Sequence, residues 1–141
     1  MKNVKVIYWS GTGNTEAMAK AIGEGAKSAG AEVEVVSVDG ASQDMVNSAS
    51  HIILGCPSMG MEVLEEAEFE PFIADTDFTG KKVALFGSYD WGDGEWMRNW
   101  EEQMEDEKSA NVVAESLIVH LTPDEDGVAQ CEALGKKVAE A

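Results

Sequence analysis

The sequence predicts an α/β fold, an open doubly wound parallel sheet with helices on both faces. Three observations predict it. Runs of β-branched and aromatic residues alternate with helix-length segments along the whole chain. The segments between successive strands are long enough for a helix, which makes neighbouring strands parallel with right-handed crossovers. Three loops of unusual composition, at 10–15, 56–62 and 88–94, each follow a strand, and such sheets bind ligands beyond the carboxyl ends of their strands. A length of 141 residues is that of one domain.

The elements follow in order. Val4-Lys5-Val6-Ile7-Tyr8-Trp9 reads as a largely buried first strand. A helix from Thr15 sets Met18, Ala21, Ile22, Gly25, Ala26 and Ala29 on one face, and Gly30 stands where a C-terminal glycine cap belongs. Residues 32–38 read as the second strand, and Ser42 caps a short second helix. His51-Ile52-Ile53-Leu54-Gly55 is the third strand and Lys82-Val83-Ala84-Leu85-Phe86-Gly87 the fourth. A helix from about Glu95 puts Trp96, Trp100 and Met104 on one face, with Trp96 and Trp100 read as core. Residues 111–119 form a last strand region, interrupted near Glu115 and Ser116. Thr122-Pro123-Asp124-Glu125 opens the final helix, with Thr122 as N-cap, Pro123 in the first turn and Glu125 completing a capping box.

Composition narrows the function. With 44% hydrophobic and 26% charged residues the chain is a soluble globular protein. No apolar run approaches the ~18 residues that span a bilayer. The N-terminal residues enter a strand without a signal-cleavage pattern, and the two cysteines, Cys56 and Cys131, read as small packed residues, so the expected location is the cytoplasm. Twenty-seven acids against ten bases leave a net charge of −17. Such a surface repels nucleic acid and anionic membranes and favours basic partners.

The first loop is Ser10-Gly11-Thr12-Gly13-Asn14-Thr15. Its glycines allow a tight turn with exposed amides, and the helix that follows directs its positive dipole end at the loop. Ser10, Thr12, Asn14 and Thr15 add side-chain donors, enough to enclose a phosphate without any Lys or Arg. An isolated cluster of this kind is usually an ordinary helix cap; its place after the first strand of an α/β fold points to the anion site. Neighbouring motifs fail: a Walker A loop needs a lysine, and a dinucleotide loop needs a glycine where Glu16 stands. The segment from Cys56 has no following arginine for a phosphatase, and Leu54-Gly55 replaces a receiver aspartate. Neither His51 nor His120 has triad partners at a recognisable spacing, and no metal-ligand cluster is present.

The third loop carries Ser88, Tyr89, Asp90, Trp91 and Gly92 among further glycines, an arrangement suited to covering a flat ring. The second, Pro57-Ser58-Met59-Gly60-Met61-Glu62, offers a thioether, a flexible glycine and an acid, followed by Glu65, Glu66, Glu68 and Glu70, read as a solvated face. A ligand with a terminal phosphate monoester and a flat ring satisfies all three loops, and flavin mononucleotide (FMN) is such a ligand.

These segments resemble a known family. Residues 8–16 resemble the phosphate loop of flavodoxins, and 56–62 and 86–94 look like the two flavin loops of the short-chain, clostridial-type branch. The resemblance covers the whole chain, 1–141, as one flavodoxin-like FMN-binding domain. It implies a three-layer sandwich with a five-stranded parallel sheet in the order 2-1-3-4-5. It implies phosphate contacts from Ser10, Thr12, Asn14, Thr15 and the amides around Gly11 and Gly13. Met59 would lie on the inner flavin face and Trp91 on the outer, within the loop of Tyr89 and Gly92. The peptide between Met59 and Gly60 would turn its carbonyl towards N5, and Glu62 would accept from N3–H. Ser88 and the backbone near Pro57 and Ser58 would touch the ribityl chain or ring edge. Asp90 and Met61 depart from the family pattern and bear on redox tuning. The implied function is a low-potential one-electron carrier, cycling FMN between semiquinone and hydroquinone, monomeric, without substrate chemistry. The alternatives on the same fold are an FMN-dependent quinone or azo reductase and an FMN-free interaction domain.

Overall fold

Strands buried on both faces must send alternate side chains into two cores. In the computed structural model, which describes residues 2–11, 13–59, 63–90 and 92–141, they do. Ile7, Ile52, Leu54, Val83 and Leu85 enter one core, with Val46, Phe69, Ile73, Trp96 and Trp100. Val4, Val6, Ile53, Ala84 and Phe86 enter the other, with Met18, Ile22, Cys131, Leu134 and Val138. The strands are β1 (Asn3–Tyr8), β2 (Glu32–Ser37), β3 (His51–Gly55), β4 (Lys82–Tyr89), β5 (Asn111–Val112) and β6 (Leu117–His120). The helices are α1 (Asn14–Ser28), α2 (Gln43–Ser48), α3 (Phe69–Asp75), α4 (Glu95–Glu102) and α5 (Glu125–Glu140). Helices α1 and α5 cover one face, and α2, α3 and α4 the other.

The sheet is parallel, with the order β2-β1-β3-β4 and then β5 and β6, both paired with β4. The last two are one interrupted edge strand, as the sequence predicts. Asn111 and Val112 pair with Lys82 and Val83, and residues 117–120 pair with 86–89. Between these stretches, four residues (113–116) stand opposite two (Ala84 and Leu85). An excess of two keeps the inside–outside alternation in phase.

Local signals set the ends. Gly30, at φ +92°, donates to Lys27 O, and Ala31 donates to Ala26 O, which is a Schellman termination of α1. Ser42 Oγ accepts from Met45 N–H and caps α2. Helices α1 and α5 meet backbone to backbone: a Cβ on Gly25 would lie 2.0 Å from Glu132 O, and one on Gly135 1.9 Å from Ile22 O. The α4 helix continues as a wider π turn over Gln103–Glu107, burying Met104.

Several expectations are corrected. Helix α5 is capped by Asp124, whose carboxylate accepts from Gly127 N–H at 2.8 Å; Thr122 is not the cap, because its hydroxyl donates to Asn14 Oδ1 at 2.9 Å. Helix α1 starts one residue earlier, at Asn14, because Gly13 takes φ +95° and turns the chain before it. Strand β1 ends at Tyr8, and Trp9 folds its ring over Gly11, where a Cβ would stand 2.9 Å from the indole. Strand β2 ends one residue early at Ser37, and β4 runs two further to Tyr89. Glu66, Glu68 and Glu70 are exposed, but Glu65 is buried.

Candidate functional site

The loops leaving β1, β3, β4 and β6 converge at the carboxyl ends of the strands around a cleft of about 210 Å³. Trp9, Gly11 and Asn14 line it from the first loop, Pro57, Ser58 and Met59 from the second, and Ser88, Tyr89 and Asp90 from the third. Leu121, after β6, completes it. The floor is fixed because the β3–β4 pairing continues past β3: Cys56 N–H donates to Phe86 O at 3.1 Å and Ser58 N–H to Ser88 O at 3.0 Å. The Trp96 indole N–H adds a bond to Cys56 O at 3.3 Å.

In the first loop Ser10 is turned inward, its Oγ accepting from Gly13 N–H at 3.0 Å and Glu16 N–H at 3.3 Å. Thr15 is buried and exchanges a hydroxyl bond of 2.9 Å with Ser88, which ties the loop to β4. Thr122 occupies Asn14 Oδ1 and leaves the amide nitrogen as a donor. Among the described residues, the main-chain N–H groups of Asn14 and Thr15 have no partner, and no Lys, Arg or His side chain lines the cleft. Unpaired amides at the positive end of a helix are the donor set that can hold an anion by hydrogen bonds alone. The one acid of this turn, Glu16, is engaged by the Tyr8 hydroxyl at 3.1 Å and by Lys20 at 3.9 Å. Burial, and then the bond to Glu16, raise the Tyr8 hydroxyl pKa above its ordinary value. Thr12 lies outside the described residues.

In the second loop, Met59 and Val63 pair in both directions, N···O 2.9 and 3.0 Å, as an antiparallel bridge. The expected Gly60, Met61 and Glu62 contacts lie outside the described residues. Burial pushes the Cys56 thiol up to about 12, so it stays a neutral packed group whose sulfur accepts from Glu65 N–H at 3.4 Å.

In the third loop, the Tyr89 ring packs against Trp96 at 6.0 Å and His120 at 5.1 Å between centroids. His120 Nε2 donates to Asp90 O at 2.9 Å, and Leu121 N–H to Tyr89 O at 2.8 Å. Asp90 is exposed at the rim, and Gly92 is exposed at φ +92°. Trp91 lies outside the described residues. Of the expected residues, Gly11, Asn14, Pro57, Ser58, Met59, Ser88, Tyr89 and Asp90 meet at the cleft, while Ser10, Gly13 and Thr15 shape the loop behind it. Sequence reasoning missed Trp9, taken as strand, and Leu121, His120 and Thr122, which follow from the edge strand ending beside the third loop. The described residues hold no cluster of three or more potential metal ligands.

Comparison with known proteins adds to this geometry. The flavodoxin family model matches residues 6–135. The chain is similar to the flavodoxin of Clostridium beijerinckii, 50% identical over 138 residues that cover 96% of this chain and 99% of the relative. It is also similar to the flavodoxin of Megasphaera elsdenii, 46% identical over 140 residues, with 98% and 99% covered. The solution structure of two-electron reduced Megasphaera elsdenii flavodoxin superposes with a TM-score of 0.90 at 48% identity, covering 98% of this chain and 99% of that one.

Proposed function

The chain belongs to the flavodoxin family, and from that premise we propose that it is one FMN-binding domain over 1–141 that carries single electrons at low potential between redox proteins. The observation that carries this reading is the pair of amides, Asn14 and Thr15, at the head of α1 that have no partner among the described residues, in a cleft with no cationic side chain among its described lining residues. That donor set fits a phosphate monoester, and the aromatic and thioether lining beside it fits a flat ring. FMN supplies the one-electron chemistry when bound. The protein's part is to hold and orient the ring and set its electrostatics.

Ser10, Thr12, Gly11, Gly13, Asn14 and Thr15 hold the phosphate. Pro57, Ser58 and Ser88 border the ribityl chain and ring edge. Met59 and Trp91 face the ring on its two sides, with Tyr89, Gly92 and Leu121 at the rim. Gly60, Met61 and Glu62 meet its polar edge. Asp90 adds negative charge there and opposes the arrival of an electron. No described helix is long and apolar enough to cross a membrane. We place the protein in the cytoplasm as a monomer, with partners that present basic surfaces to its −17 net charge.

Titration of the purified chain with FMN, followed by stepwise reduction under anaerobic conditions, tests the reading. The expected result is stoichiometric quenching of flavin fluorescence, two resolved one-electron steps and negligible NAD(P)H–quinone turnover. A chain that leaves FMN free in solution overturns the cofactor assignment, and rapid quinone turnover moves the protein to the reductase alternative.

A further inference from the structure

Glu65 is only 7% exposed, yet its neighbours Glu66, Glu68 and Glu70 are open to solvent. A buried carboxylate needs donors, and this one has three. Oε1 accepts from the N–H groups of Glu68 and Phe69, and Oε2 from that of Ala67, each at 2.8 Å. Its main chain is used as well: the N–H donates to Cys56 Sγ at 3.4 Å, and the C=O accepts from Glu70 N–H at 2.9 Å. One residue thus joins the end of β3 to the start of α3.

Directly upstream lies the Met59–Val63 bridge, and only Leu64, packed in the core, separates it from Glu65. A single rung closes a loop without fixing where the loop sits, since isolated two-stranded pairings are marginal in water. The upstream arm is held by Ser58 on Ser88. The downstream arm, from Val63, has Leu64 and Glu65 to hold it.

We propose that Glu65 is the positioning residue of the Met59–Val63 bridge: its carboxylate, shared among the amides of Ala67, Glu68 and Phe69, fixes the arm that begins at Val63 and so the place where Met59 meets the flavin. The proposal rests on the reading of the cleft as a flavin site. The chemistry of the side chain is specific. A glutamine would set N–H groups against amides that are themselves donors, and an aspartate falls one methylene short. Burial alone would raise the Glu65 carboxyl pKa, but the amides of Phe69, Glu68 and Ala67 together bring it below the usual glutamate value. The carboxylate therefore stays charged and able to accept all three bonds in the neutral range.

Glu65→Gln tests this in the full chain, with Glu66→Gln as the control that removes the same charge from an exposed neighbour. The readouts are FMN affinity, the separation between the two one-electron potentials, and hydrogen exchange at the Met59 and Val63 amides. Glu65→Gln is expected to weaken FMN binding at least tenfold, change the separation of the potentials and accelerate exchange at both amides; Glu66→Gln is expected to do none of these. If Glu65→Gln lowers thermal stability but keeps wild-type affinity and potentials, Glu65 is structural only and the proposal is overturned. Equal effects from the two variants also overturn it, because charge alone would then account for them. If Glu65→Gln does not fold, Glu65→Asp is read by the same measurements, with the same expected directions and the same overturning results. A wild-type chain that binds no FMN removes the flavin premise and overturns the proposal in its flavin part; amide exchange then decides whether Glu65 fixes the bridge at all, with unchanged exchange rejecting that as well.

Discussion

The two ends of the sheet treat polar groups in opposite ways. At the amino ends, cations meet carbonyls. Lys2 and Lys82 both donate to Ala141 O at 3.1 Å, and His51 faces the same oxygen at 3.5 Å. Lys81 reaches the carbonyls of Asn47 and Ala49 around the end of α2, and Lys108 those of Ala74 and Thr76 around the end of α3. These lysines satisfy orphan carbonyls and oppose the negative end of each helix dipole. At the carboxyl ends the balance is reversed. Among the described residues, helix α1 presents unpaired amides, the cleft has no cationic side chain, and Asp90 stands at its rim. One end of the sheet is closed on itself, and the other keeps its hydrogen-bonding capacity for a ligand.

The largest expected effects come from breaking each end separately. Gly135→Ala places a Cβ against the Ile22 carbonyl, a backbone atom that cannot rotate away. It should destabilise the fold by about 3 kcal/mol, the upper range for overpacking, while the FMN affinity of the folded fraction stays unchanged. Chemical denaturation checks this, and a loss below about 1 kcal/mol would show that the α1–α5 contact yields easily. The converse change is Ser10→Ala with Asn14→Ala. Each lost hydrogen bond to a phosphate is worth about 1.5–3 kcal/mol, so FMN should bind roughly ten- to a hundredfold more weakly per bond. Wild-type affinity in the double variant would remove the phosphate from this loop.

The same division governs what the sequence discloses. The sheet is legible because β3 and β4 are continuous apolar runs, and their alternation assigns each residue to a core. The first loop stands out because its glycine and hydroxyl residues, which elsewhere would only cap a helix, follow the first strand of an α/β fold, at the end of the sheet where ligands bind. Glu65 is not, because in the sequence it is one of four acids in a row of six residues, and only its three amide donors separate it from the rest. Trp9 is hidden for a related reason: an aromatic ending a β-branched run extends the strand pattern, and the turn over Gly11 is a tertiary event. Thr122 looks like a cap because it precedes Pro123, but its partner, Asn14, lies 108 positions away. Local patterns identify elements; contacts across the sheet decide which polar residue does what.

An intermediate effect should appear in electron transfer. If the acidic end docks basic partners, raising ionic strength from 0.1 M to 1 M, which shortens the Debye length from ~10 Å to ~3 Å, should slow reduction by a cationic reductase several-fold. Asp90→Asn should slow it modestly at low salt, whereas Lys136→Gln, at the far end of α5, should leave it unchanged. Stopped-flow rates that stay flat with salt, or that respond equally to both variants, would remove the polarity from the docking.

The smallest effect belongs to the closed end and separates it from the site by pH. His51 is buried at the start of β3, hydrogen-bonded through Nδ1 to the Ser50 hydroxyl at 2.6 Å. Burial lowers its pKa most; the bond to Ala141 O raises it in part, and Lys2 and Lys82 lower it further. A group whose folded pKa is depressed contributes stability that is fully present above its unfolded value, about 6.5 for histidine, and is lost as pH falls through the folded value. The unfolded chain takes up a proton that the folded chain refuses. Wild-type stability should therefore decline, relative to His51→Gln, as pH is lowered from 7.5 to about 5, with the FMN affinities of the two proteins remaining parallel over the same range. Denaturation midpoints of both proteins at each pH check the difference, which cancels the other titrating groups they share. Identical pH slopes would show that His51 titrates alike in both states, and a divergence in FMN affinity would show that the two ends of the sheet are coupled after all.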